Sequence, residues 1–247
     1  MIRFSKISSN DFLGKVLRSV LSLLPKTAVV PIIQGPCKGL KWIVGSGVHG
    51  MWLGSYEADA QLLIKNCDIA DTIAFDIGAN VGFYSILFSR LVGPKGKVMS
   101  FEPFPRNVNY LKRHIEINSI SNVEIHDMAI GNKNGLMRFD TKSHHAQGRI
   151  GDTGEIEVNV HTLDSIEVPA LPVSIMKIDV EGAEADVLQG GKLFFKKHRP
   201  IILLSTHGEK EVKDCKKILE EYGYVMFPIE QKLNCNEWLI KPKESLL

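Results

Sequence analysis

Residues 176–188 read MKIDVEGAEADVL, and their acids are placed where chemistry could be done. If the apolar run before them is a strand, Asp179 and Glu181 fall on one side of its carboxyl end, because strand side chains alternate. Glu184, three residues on, shares a face of the helix that follows. Acids at a helix start gain ~0.3–1 kcal/mol each from the helix dipole. That accounts for Glu184 but poorly for a strand-end Asp179. Carboxylates in such a position can take a proton from a hydroxyl or hold a divalent ion through oxygen ligands. His207, in LLSTHG, ends the next apolar run and opens onto the same cleft edge.

A second stretch, FDIGANVGFYS at residues 75–85, has the form of a strand, a glycine-spaced turn and a helix start. A dinucleotide turn would read GxGxxG, its glycines letting a pyrophosphate approach the helix N-terminus. Here Asn80 stands in place of the second glycine, and the GK[ST] ending of a phosphate loop is missing. Asp76, at the strand end, would repel a phosphate and attract an ammonium. S-adenosylmethionine (SAM) carries an ammonium and a sulfonium and no phosphate, so the turn suits SAM better than NAD. A plain packing turn would also use glycine here.

The next strand, KVMSFEP, ends in Glu102, 24 positions after Gly78. An acid there can accept hydrogen bonds from both ribose hydroxyls, in NAD enzymes as well as SAM enzymes. At the end of the third strand, Asp127 is placed to accept from the adenine amine while Met128 covers the ring.

These residues need a sheet to hold them. Strand, helix and strand alternate from residue 71 onward: TIAFDIG, VGFYSILFSRLV, KVMSFEP, PRNVNYLKRHIEIN and NVEIHDMAIG. Two short strands then flank a polar loop at 141–154 containing His144, His145 and Arg149, a place for acceptor contacts or a hairpin tip. VSIMKIDVEG, one helix over 183–198, PIILLSTHG, a helix over 209–223 and the strands YVMFPI and EWLIK close the chain. Near-continuous apolar strands alternating with helices predict an α/β fold, a doubly wound, mostly parallel sheet covered on both faces. Residues 1–70 form an N-terminal helix and strand extension, and 71–247 the main domain.

Lys and Arg exceed Asp and Glu by only two, 30 against 28, which argues against nucleic acid as a partner. The four scattered cysteines, none in a CxxC pair, suggest neither a zinc site nor disulfides, so a reducing cytoplasm is the expected compartment. No apolar run approaches the ~20 residues of a membrane span. Phe12, Val16, Val20 and Leu23 or Leu24 recur at helical spacing, with Lys15 and Arg18 between them. Such a helix either packs on the domain or lies on a membrane surface.

Together, FDIGANVGFYS, FEPFPRNV, MKIDVEGAEADVLQG and the upstream GSYEAD resemble the FkbM family of SAM-dependent methyltransferases, from about Gly54 to Gly208. The resemblance implies a Rossmann-like class I methyltransferase fold with a seven-stranded sheet, SAM as donor, and O-methylation of a sugar, glycan or related small-molecule hydroxyl. It implies that Asp76, Gly78, Asn80 and Gly82 hold the methionine part of SAM and Glu102 the ribose. Tyr56 and Glu57 would close over the cofactor or acceptor. Many family members carry a glutamate in the fifth strand, where this chain has Ser205. Methyl transfer needs an in-line approach and the removal of one proton. Asp179 or Glu181, helped by His207, would take that proton, and a divalent ion on these carboxylates is the rival arrangement. An NAD-dependent oxidoreductase and a non-catalytic SAM-fold protein are the competing functions.

Overall fold

Among the described residues, the apolar runs IAFDI, VMSF, VSIMKI and IILLS become short, largely buried strands. The structure is a computed structural model that describes residues 21, 23–144, 147–151, 156–229 and 236–246. The expected amphipathic helix with Phe12, Val16 and Val20 lies outside the described residues, as does His145.

The chain begins with an antiparallel pair, β1 (Val29–Pro31) and β2 (Lys41–Ile43), and two helices, α1 (His49–Leu53) and α2 (Ala58–Lys65). Regular alternation follows: β3 (Ile73–Ile77), α3 (Phe83–Val92), β4 (Lys97–Phe101), α4 (Pro105–Ile117) and β5 (Val123–His126). A second group comprises β6 (Ala129–Ile130), β7 (Gly135–His144), β8 (Gln147–Gly151) and β9 (Ile156–His161). The chain ends with β10 (Val173–Ile178), α5 (Glu184–Gln189), α6 (Lys192–His198), β11 (Ile201–Ser205), α7 (Glu209–Glu221), β12 (Tyr224–Pro228) and β13 (Glu237–Pro242).

Seven strands form the central sheet in the order β12-β13-β11-β10-β3-β4-β5. Its five middle and edge strands β11, β10, β3, β4 and β5 pair in parallel, and β13 runs antiparallel between β11 and β12. The order reverses at β3. From there the chain steps to β4 and β5 on one side and later to β10 on the other. That switch point is where an open α/β sheet binds its ligand, outside the strand carboxyl ends.

All five residues of β3 are buried. Alternation divides the sheet into two apolar layers: Phe75, Met99, Met176 and Leu204 face one, Ala74, Val98, Ile175 and Leu203 the other. Each fully buried Phe or Leu contributes roughly 1.5–3 kcal/mol. By the same alternation Ser100, Asp76, Lys177 and Ser205 lie on the second face, under α3.

Three expectations about elements need correction. The third strand is not continuous over 122–131. After β5 the Met128 N–H donates to His126 O (2.8 Å), the chain turns, and β6 joins another sheet. The polar loop at 141–154 is largely strand, since β7 extends to His144 and β8 pairs with it. With β6 and β9 they form a separate four-stranded sheet that sequence periodicity did not announce. The helix over 183–198 is broken at Gly190-Gly191. A Cβ at Gly190 would lie 2.0 Å from Gly131 O, so only glycine lets the first helix end against the loop after β6.

The N-terminal segment packs into the layer under α3. Buried Trp42 stacks on the His114 ring at 3.8 Å. His114 Nε2 accepts the Ile43 N–H (3.2 Å), which leaves the proton on Nδ1 to donate to Val81 O (2.7 Å). Burial lowers the His114 pKa to about 4, so the ring is neutral and ties β2 to the glycine turn. Among the described residues no helix is long and apolar enough to cross a membrane.

Candidate functional site

The turn after β3 is held by its own backbone. Gly78 adopts φ +77°, and a Cβ there would stand 1.9 Å from Asp179 O, so the position needs glycine twice over. Asn80 has φ 49°, the left-handed region that Asn tolerates better than most residues. Every N–H of residues 78–82 is engaged. Gly78 and Ala79 donate to Phe101 O (3.0 Å each), and Asn80 to Glu102 Oε2 (2.7 Å). Val81 donates to Asn80 Oδ1 (2.8 Å), and Gly82 to Ala79 O (2.8 Å). These are the groups a pyrophosphate would need.

The turn forms one wall of a cleft at the switch point. Asp76, Gly78, Asn80, Glu102, Tyr56, Asp179 and Glu181 all line it, as the sequence suggested. Gly82 is not in the lining. Its φ of +91° and the Leu111 side chain 2.3 Å from where a Cβ would be make it a packing position at the start of α3.

Asp76 is 1% exposed, and its Oδ2 accepts the Ser85 hydroxyl (2.6 Å), which itself accepts from Ser100 (3.0 Å). Burial pushes its carboxyl up to about 7 against the lowering effect of Ser85 and Lys177. Glu102 is likewise buried. Its Oε2 takes the Asn80 N–H, and Oε1 takes the Phe104 N–H (2.9 Å) and Asn107 Nδ2 (3.4 Å). Burial raises it to about 7 as well, although those three donors pull the other way. A carboxylate offers about four acceptor sites, so Glu102 keeps room for one more donor rather than the two expected.

The structure does not bring Asp127 or Met128 to the cleft. Asp127 pairs with Lys112 (3.0 Å) on the surface, both more than half exposed, and Met128 packs against the core. The turn after β5 carries the chain past them, so Ala129 and Ile130 line the cleft instead.

Opposite the turn, β10 delivers Lys177 and Asp179. Register places Lys177 beside Asp76. Lys177 is 1% exposed yet charged. Burial disfavours the ammonium, but Glu57 (3.6 Å), Asp179 (3.4 Å) and Glu237 (3.5 Å) together raise its pKa. It also donates to Ser205 Oγ. Glu57, unlike Tyr56, is not in the cleft lining. It has φ 42° and accepts the Tyr84 hydroxyl (2.5 Å).

Glu181, also left-handed at φ 56°, approaches His207 Nε2 at 3.2 Å, and Asp179 Oδ1 lies 3.9 Å from the same nitrogen. His207 Nδ1 meets Glu184 Oε1 at 2.9 Å. The Glu184 bond, assisted by Glu181 and Asp179, overcomes burial and raises His207 to about 9, an imidazolium at neutral pH. Burial pushes Glu184 up, but His207 and the Gly182 N–H bring it net below the usual range. Donor atoms of Asp179, Glu181 and His207 lie within 4.8 Å of one another.

Sequence reading left Lys177 and Glu237 without a role. The lysine sits inside the quoted segment 176–188, so its place two residues before Asp179, on the same strand face, was a usable signal. Glu237 had none. It reaches Ser205 (2.9 Å) only because β13 runs antiparallel beside β11, with Ser205 opposite Glu237. A carboxylate from β13 therefore stands next to the serine where the resemblance expected a glutamate.

Comparison with known proteins agrees with this geometry. The Methyltransferase FkbM domain matches residues 76–226. The chain is 28% identical over 161 residues to Methyltransferase 1 of Beauveria bassiana (53% of this chain, 64% of that protein). It is 28% identical over 151 residues to the 2-O-methyltransferase NoeI of Sinorhizobium fredii (52% and 61%). To the hexuronic acid methyltransferase AglP of Haloferax volcanii it is 23% identical over 167 residues (65% and 66%). The alignments thus span just under two thirds of each relative's length. The crystal structure of methyltransferase FkbM from Methylobacillus flagellatus shares the fold, with a TM-score of 0.54 at 19% identity over 71% of this chain and 45% of that one. The fold is the Rossmann-like class I methyltransferase fold, and the chain belongs to the FkbM family of methyltransferases.

Proposed function

We propose that this protein transfers the methyl group of SAM to a hydroxyl of a sugar-like acceptor, with a carboxylate of the β10 end taking the proton. One observation carries the donor assignment. The N–H groups of residues 78–82 are all committed internally, while Asp76 and Glu102 present buried carboxyls satisfied by neutral donors. Such a wall repels phosphate and gains from a cation, because an opposite charge offsets the burial of a carboxylate. SAM fits that requirement, and bound there it supplies an activated methyl group on a positive sulfur.

In this reading Asp76 holds the ammonium of the methionine part and Glu102 accepts one ribose hydroxyl. Tyr56 covers the cleft from the N-terminal side. Asp179 and Glu181 face the acceptor, and one of them takes its proton. His207, already protonated by its carboxylate neighbours, orients them rather than serving as the base. The names of two relatives, a 2-O-methyltransferase and a hexuronic acid methyltransferase, support oxygen as the accepting atom and a sugar acid as the acceptor class.

The donor spacing of Asp179, Glu181 and His207 favours a second arrangement. Oxygen and imidazole donors at that separation suit a divalent ion, which would lower the pKa of a bound hydroxyl. Addition of a chelator separates the two: methyl transfer that survives it excludes the ion.

Calorimetric titration with SAM, S-adenosylhomocysteine and NAD tests the donor. SAM and its product should bind, and NAD should not; NAD binding as tight as SAM would overturn the reading. Incubation with methyl-labelled SAM and a panel of hexuronic-acid and neutral glycans then tests the acceptor.

A further inference from the structure

We propose that Lys177 and Glu237 are positioning residues for Asp179: the buried ammonium anchors one oxygen of that carboxylate, and Glu237 is the counter-charge that keeps the ammonium in place. The proposal rests on the reading that Asp179 faces the acceptor.

Burying an ammonium costs several kcal/mol, which close carboxylates must offset. Lys177 has three protons to place, and they meet a serine and three acids from three separate parts of the chain. Glu57 precedes α2, Asp179 ends β10, and Glu237 begins β13. With Asp179 Oδ2 3.4 Å from Nζ, Oδ1 is the oxygen turned towards His207. Anchoring one oxygen removes a rotation that would otherwise have to be frozen in the approach to the acceptor.

Glu237 is not a bystander on the edge of this cluster. The Ser205 hydroxyl donates to its Oε1 while Oε2 lies 3.5 Å from Nζ, so its carboxylate is held by two groups of the network. Ser205 in turn accepts from Lys177. The hydroxyl therefore conveys the position of β13 to the ammonium. Residue 237 lies outside the 76–226 segment that the family domain matches.

The two residues should act on Asp179 in the same direction, because Glu237 acts through the ammonium. The test is a pair of crystal structures, Lys177→Met and Glu237→Gln, compared with the wild type and obtained without SAM or acceptor. In the wild type the Asp179 carboxylate should hold one orientation, with Oδ2 towards the Lys177 ammonium. In Lys177→Met it should turn away or occupy more than one orientation. In Glu237→Gln the Lys177 ammonium should leave its place and the Asp179 carboxylate should turn with it. A carboxylate that keeps its wild-type orientation in both variants overturns the proposal. If Lys177→Met does not fold, Glu237→Gln decides alone: a reoriented carboxylate supports the proposal and an unmoved one overturns it. In turnover, Glu237→Gln should lower kcat by roughly 10- to 100-fold with KM unchanged, the mark of lost orientation; a raised KM at unchanged kcat would overturn the proposal. Because the structures need neither SAM nor a glycan, failure to methylate any glycan would count against the proposed function and leave their result standing.

Discussion

On the β3–β4 side of the cleft, Asp76 and Glu102 are satisfied by neutral donors: a serine hydroxyl, two backbone N–H groups and an asparagine amide. On the β10–β11 side, Asp179, Glu181 and Glu184 stand around two cations, Lys177 and His207. Both walls are acidic, but only the first lacks a dedicated cation of its own at hydrogen-bond distance. In the proposed reading the first suits a positive ligand, whereas the second pairs its carboxylates with cations of its own and keeps them in fixed directions. A site that must hold a cationic donor beside a group taking a proton benefits from this division.

The comparison breaks most sharply at Asp179. Asp179→Asn should leave SAM affinity within about threefold by calorimetry while methyl transfer falls by roughly 10²- to 10⁴-fold, the usual share of general base catalysis. A variant that turns over at the wild-type rate would place the proton elsewhere. On the other wall, Asp76→Asn keeps an acceptor for Ser85 but removes the charge. SAM affinity should drop roughly 10- to 100-fold, the range for a charged hydrogen bond. In the wild type, affinity should also climb as pH rises from ~6 to ~8, because Asp76, held near 7, must ionise to meet the ammonium. A flat affinity over that range would contradict the cation-binding wall.

The smallest effect concerns stability. Folded His207 keeps its proton up to about 9, above the ~6.5 of an unfolded histidine. Its contribution is therefore complete below ~6.5 and is lost as pH rises through 9. Asp76, Glu102 and Glu237 are raised only to about 7. Their effect has the same sign but falls below that window, so pH 7–9 reports His207. In thermal melts of the ligand-free protein, Tm should fall by about 2–4 °C per kcal/mol lost across it. His207→Asn should be nearly flat there, and an equal slope in the variant would assign the loss to another group.

Much of the fold was legible in the residues. The turn between Asp76 and Gly82 declared itself through a strand-end acid, two glycines and an Asn. The structure has a tight turn there, with a left-handed φ at residue 80 that the residues alone did not specify. The second sheet was only half legible. The start of β7 and β9 are the two short strands read on either side of the polar loop, but β6 has two residues and β8 lies in that loop, so neither carries the apolar alternation that marks a strand. Asp127 misled for a related reason. A strand-end acid looks alike whether the chain continues straight or turns after β5, and here it turns.

By itself the sequence determined the alternation of strands and helices, the strand-end acids, and a turn unsuited to phosphate. All of these depend on periodicity or on neighbours within a few residues, which local sterics and burial enforce. Only the tertiary structure decided which charges meet. Lys177 lies 120 residues from Glu57 and 60 from Glu237 in sequence, and nothing local links them. They converge because β10 sits inside the sheet next to β11, β13 folds back antiparallel beside β11, and the segment before α2 brings Glu57 to the ammonium. A buried ammonium can persist only where such distant strands bring it enough negative charge.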